Sequence, residues 1–172
     1  MSTTHDSSFP QATSAPVRPA TLAAAVWGGV LVSLLYLAGA IAIFVQGRSS
    51  VEAYVEQTVG SELADLVSST PEIDQAYQSL VVKAGVAIGF GLVILLFAVL
   101  ARSGGTGARI GLAVVLALGM CGGSGLQIAE YEVLPGASVA VAAVTPLLSL
   151  ITIILLFLPP TNRFAAARKH AR

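Results

Sequence analysis

Four stretches of this chain, residues 20–46, 80–101, 109–129 and 137–158, are apolar and almost free of charge. Each is close to the ~20 residues that carry a helix across a ~30 Å hydrocarbon core. Backbone N–H and C=O groups find no water at that depth, so helix is the expected state of each run. The competing reading is buried helices in a soluble core. A chain of 172 residues is too short to enclose four such helices on all sides. Composition agrees: 55% of residues are apolar and 10% charged, against about 25% charged in a soluble domain. The expected fold class is all-α, a polytopic membrane protein built as a four-transmembrane-helix bundle.

The flanks differ sharply from the runs. Residues 1–19 are rich in Ser, Thr and Pro, with little to bury. They read as a disordered cytoplasmic tail rather than a signal peptide, because no basic segment leads straight into a short apolar core. Residues 20–158 form the expected transmembrane domain, and 159–172 a basic cytoplasmic tail. With four spans, Arg18, Arg102, Arg109, Arg163, Arg168, Lys169 and Arg172 all fall on one side. The other side carries the 47–79 loop, with Glu52, Glu56, Glu62, Asp65, Glu72 and Asp74 against Arg48, and a short turn with Glu130 and Glu132. Basic loops stay in the cytoplasm. Both termini are therefore expected inside.

The outer loop has its own pattern. Val51, Tyr54, Val55, Val59, Leu63, Leu66 and Val67 recur near the helical period, which predicts an amphipathic helix over 50–68 capped by Ser49 or Ser50. Thr70, Pro71, Glu72 and Asp74 make a second helix start, so span two is expected to begin near Pro71 and project from the bilayer. Together these elements predict a short helical extracytoplasmic cap between spans one and two. It closes the bundle or offers a partner a docking surface.

Within the spans, Lys83 is the one ionisable residue well inside a run. Such groups are costly in lipid and are functional hints by default. Counting along the helices sets it near the depth of Gln127, with Glu130 and Glu132 just above. A Lys83–Glu130 or Lys83–Glu132 pair follows, either as a snorkelling lysine neutralised by a carboxylate or as a contact for a solute. Ser33, Tyr36, Thr145, Ser149 and Thr152 are expected to bond helix carbonyls, and Pro146 to kink span four.

Glycines are patterned too. Gly85 and Gly89 form one G-x-x-x-G, and Gly119 and Gly123 another, extended by Cys121 and Gly125. The two motifs lie at overlapping depth on adjacent antiparallel spans. Close packing of these faces is the expected contact between spans two and three. The stretch "CGGSG" also fits a nucleophilic serine at Ser124, or a break in the helix. A serine nucleophile needs a base, and His5 and His170 are both expected on the cytoplasmic side, away from Ser124. One cysteine, Cys121, excludes an intrachain disulfide and a cysteine zinc cluster. Catalytic residues, metal ligands, cofactors and nucleic-acid partners are not expected.

The run from Arg18-Pro19 through alanines to Trp27, and the exit Leu158-Pro159 through Arg163-Phe164, resemble small four-span plasma-membrane proteins of actinobacteria. The resemblance covers the two ends of the chain and the topology. It implies a bacterial plasma membrane and supplies no active site. The expected function is association: an accessory or scaffold subunit, or a homo-oligomer, in contact with membrane lipid. The alternative is a small transporter or channel with a polar site near Lys83 and Gln127.

Overall fold

The structure, a computed structural model, describes residues 19–60, 71–124 and 136–170. Every regular element among them is helical. Helix α1 runs Ala20–Val59, α2 Pro71–Ala101, α3 Thr106–Gly119, α4 Gly136–Phe157 and α5 Pro159–His170, with a π-helical segment, Met120–Ser124, continuing α3. Three helices are long and apolar enough to cross a membrane, within α1, α2 and α4. The expected third span is shorter as α-helix. The 14 residues of α3 rise ~21 Å, and the chain then widens into the π segment.

Contacts between the helices define their directions. Ser33 of α1 bonds Gly91 of α2, while farther along α1 Arg48 pairs with Asp74, earlier on α2. Numbers rise on one helix as they fall on the other, so α1 and α2 are antiparallel. The same holds for α1 and α4, where Gly28 meets Thr152, Gly39 meets Val141, and Thr21 bonds the Thr161 hydroxyl just beyond α4. Helix α3 follows α2 through the tight turn Arg102–Gly105 and returns alongside it. Gly29 meets Leu112 and Tyr36 meets Gly119, so α3 runs parallel to α1. Each of α1 and α3 packs along both α2 and α4. The helices thus form an up-down-up-down ring with α1 and α3 on one diagonal.

Two clusters fill the ring. Toward the Ala20 end, Ala25, Val32, Ile94, Ala98, Leu112, Leu116 and Leu156 are buried together. Toward the Val59 end, Ala40, Ile43, Val51, Ile73, Leu80 and Ala84 form the second. The outward faces are equally apolar: Trp27, Val45, Leu96, Leu118 and Ile154 are each at least 55% exposed. A soluble surface rarely carries so much contiguous apolar area.

Helix α1 corrects the expected helix start at Ser49 or Ser50. It continues without a break from the first apolar run to Val59, 40 residues in all. Ser49 does not start a new helix; its hydroxyl donates back to the Gln46 carbonyl at 2.9 Å, and Arg48 bridges to Glu52 one turn on at 3.2 Å. With no proline or cap to interrupt it, the helix simply projects. It ends at Gly60, whose φ of 85° is one a side chain resists. Helix α2 begins at Pro71 and meets this projection through Val51 and Ile73. Thr70 and residues 61–69 lie outside the described residues. The turn at Arg102–Gly105 also needs a glycine: Gly104 is buried with φ 74°, and its N–H donates to the Ala101 carbonyl at 2.9 Å.

Residues 159–170, expected as part of a tail, are helix α5. Helix α4 is continuous through Pro146.

Candidate functional site

Charge is segregated along the bundle. Among the described residues, the carboxylates Glu52, Glu56 and Asp74 all lie toward the Val59–Pro71 end. Arg102, Arg109 and Arg163 lie at the Ala20 end. Sequence and turn geometry together fix this basic end, which carries the most developed polar architecture.

Its centre is Arg109, 3% exposed in the first turn of α3. The reason for burying it is in the sequence of the neighbouring helix. "FLPPTNR" puts Pro159 and Pro160 four residues after Leu155 and Leu156. Proline has no N–H, so those two carbonyls lose their normal helical donors. Other groups replace them. The Thr161 hydroxyl donates to the Leu155 carbonyl at 3.3 Å. Arg109 Nη2 donates to the Leu156 carbonyl. Asn162 Nδ2 donates to the Phe157 carbonyl at 3.0 Å. Arg109 Nη2 also donates to Asn162 Oδ1 at 2.7 Å, and its guanidinium stands 5.9 Å from the centroid of the Phe157 ring. No carboxylate among the described residues pairs with Arg109. Its charge instead faces the negative, carbonyl-bearing end of α4. Its Nε is buried without a partner among the described residues.

At the same end of the bundle, a partly enclosed cavity of about 160 Å³ opens between α1 and α2. Leu22, Val26, Trp27 and Val30 of α1 line it, with Val99 of α2 and Arg102 in the turn that follows α2. The α1–α2 register sets Leu22 level with Arg102, so the guanidinium stands at the end of the bundle and the apolar wall runs inward.

Farther in, buried hydroxyls are held by backbone. Ser33 Oγ donates to the Gly91 carbonyl at 2.8 Å. Tyr36 Oη reaches across the diagonal to the Gly119 carbonyl at 3.0 Å. Thr145 and Thr152 donate to Val141 and Leu148 in the preceding turn of α4, at 2.6 and 2.8 Å.

The residues singled out from sequence fare differently. The turn and the Phe97–Gly111 contact set Gly89 level with Gly119, as expected from depth. Among the described residues, however, Gly85 and Gly89 do not make the close approach expected of them. Nothing lies within 4 Å of a Cβ placed on Gly85 or Gly89, whereas one on Gly119 would meet the Tyr36 hydroxyl at 2.8 Å. The physical reason is angular. The buried stripe of α2 is Leu80, Ala84, Gly91, Ile94, Ala98 and Ala101. Gly85 and Gly89 stand off that stripe and turn outward. The glycine that lets α1 and α2 approach is Gly91, where a Cβ would sit 3.3 Å from the Ser33 carbonyl oxygen. Gly123 falls in the π segment, and its packing, with Gly125, lies outside the described residues.

Lys83 is half-buried on α2, next to Ala84 of the second cluster. Gln127, Glu130 and Glu132, the other members of the expected polar cluster, lie outside the described residues. Ser124 ends the π segment at the opposite end of the bundle from α5, which carries His170. Cys121 is exposed. Among the described residues, no three His, Cys, Asp or Glu side chains gather as metal ligands do. Sequence reasoning missed the capping role of Arg109, although the Pro-Pro pair signals the orphaned carbonyls.

No family model, curated protein or solved structure matches this chain.

Proposed function

We propose that the chain is a four-span protein of a bacterial plasma membrane, with its basic end in the cytoplasm. It works by association, as an accessory or scaffold subunit or a homo-oligomer, rather than by catalysis. The observation that supports this best is how the interior polar groups are used. Ser33, Tyr36, Thr145, Thr152, Thr161 and Arg109 each donate to a backbone carbonyl of the bundle itself. Groups held in this way stabilise a fold and are not presented to a solute. Meanwhile the projecting parts of α1 and α2, and the open face at Gly85 and Gly89, leave helical surface for a partner. The positive-inside rule supports the orientation, since the basic groups of the described residues cluster at the Ala20 end.

Mass measurement of the full chain in mild detergent tests the reading. A homo-oligomer or a retained partner is expected. A stable monomer that keeps no partner counts against association. Gly85→Leu with Gly89→Leu sharpens the test, because both sites have open space. The double variant keeps its helicity and melting temperature while its oligomeric mass changes.

A small transporter or channel is the second reading, favoured by the π-helical segment Met120–Ser124. Such segments recur at functional sites. Solute flux into liposomes, lost in Lys83→Ala, is its signature. Absence of flux for ions, sugars and amino acids alike removes it.

A further inference from the structure

The cavity between α1 and α2 at the basic end has the polarity of an amphiphile. Arg102 stands exposed at its outer end. Leu22, Val26, Val30 and Val99 make an apolar wall beyond it. From Leu22 to Val30 is eight residues of α1, about 12 Å along the helix, and every described charge at this end of the bundle is positive. No carboxylate among the described residues neutralises Arg102. We infer that this groove binds one anionic phospholipid of the cytoplasmic leaflet, its phosphate on Arg102 and one acyl chain along the α1–α2 seam toward Val30. The inference rests on the membrane reading and orientation proposed above.

Two physical arguments select this occupant. The groove opens where a leaflet's headgroups meet its acyl chains, so lipid is the solvent it meets. Charge complementarity then selects among lipids, because basic side chains near a cytoplasmic surface attract anionic headgroups over zwitterionic ones. Arg163, exposed on α5, adds to the field at this end but lines no part of the groove.

Trp27 provides a local reporter. It is the chain's single tryptophan, it lines the groove, and it is 72% exposed. The full chain is reconstituted in phosphatidylcholine vesicles containing a small fraction of phosphatidylglycerol, with bromine on the acyl chains of one lipid or the other. Brominated phosphatidylglycerol is expected to quench Trp27 as though enriched about fivefold over its bulk fraction, the factor a single basic residue supplies. Arg102→Gln brings the two quenching curves together, whereas Arg163→Gln leaves the enrichment in place. Equal quenching by both lipids in the unaltered protein overturns the inference. So does enrichment that survives Arg102→Gln, which assigns the selection to the whole basic end. Shielding of Trp27 from both lipids means a second copy covers the groove, and that also overturns it. Flotation of the same vesicles reports the membrane reading separately. Protein that fails to float overturns both proposals; floating protein with equal quenching overturns only the lipid site.

Discussion

Arg109 shows how one residue is held by a defect in another helix. Pro159 and Pro160 remove two amide donors from the end of α4, and a guanidinium from α3 supplies one of the replacements. The sequence separation between Arg109 and Leu156 is 47 residues, so the bond ties the basic ends of two helices together. Arg109→Met keeps much of the stem's packing but leaves the Leu156 carbonyl and Asn162 Oδ1 without this donor. Loss of a charged donor to buried acceptors costs about 2–3 kcal/mol. Thermal unfolding in detergent is expected to show that loss, and Arg109→Lys to recover part of it. Adding Pro160→Ala to Arg109→Met returns an amide near the orphaned carbonyl, so the double variant is expected to be more stable than Arg109→Met alone. A backbone position makes a second prediction at this scale. Gly104 has φ 74° in the turn between α2 and α3, where a Cβ costs about 1–2 kcal/mol. Gly104→Ala should lower the melting temperature, whereas Gly107→Ala, with open space around it, should not.

At the scale of elements, the glycines of α2 separate by face. Gly91 allows α1 to approach, with the Ser33 carbonyl 3.3 Å and Tyr36 Cβ 3.3 Å from an added Cβ. Gly91→Leu therefore forces the helices apart and breaks the Ser33–Gly91 bond; loss of folded protein in detergent is the expected outcome. Gly85→Leu meets nothing within the chain and should melt like the parent. The projecting half of α1 is a second case. Its ion pairs, Arg48 with Glu52 and with Asp74, are exposed on both partners and contribute under about 1 kcal/mol each. The buried cluster that includes Val51 and Ile73, both 4% exposed or less, holds the pair of projections. Val51→Asp should leave amides of residues 22–40 slow to exchange while those of 50–59 become fast, a difference that hydrogen-exchange mass spectrometry reads directly.

At the scale of the whole molecule, the ring of antiparallel neighbours returns every second helix end to the same side. The Ala20, Ala101, Thr106 and Phe157 ends are therefore together, and the separation of charge along the axis follows. The proposed orientation predicts labelling from one side only. In a Cys121→Ser background, Thr58→Cys should react with a membrane-impermeant maleimide on intact cells. Asn162→Cys should react only after the cells are opened. The reverse pattern inverts the topology.

The sequence alone determined where the long apolar helices form and which ends carry charge. A run without polar groups must satisfy its backbone internally wherever it is placed, so the positions of α1, α2 and α4 are readable from composition along the chain. Pro71 marks the start of α2 for an equally local reason, the fit of proline to a first helical turn. The faces were decided by tertiary structure. On α2, Leu92 and Leu96 point outward and Ile94 inward, yet all three are large and aliphatic. Where both solvent and core are apolar, hydrophobic periodicity carries almost no information about direction. The same degeneracy hides which glycine of α2 makes the close approach to α1, and the structure assigns it to Gly91. The continuation of α1 through Ser49 and Ser50, and the capping of α4 by Arg109, likewise required the partners to be in place. A serine can cap or continue a helix, and a buried arginine's acceptor is named only by the helix packed against it.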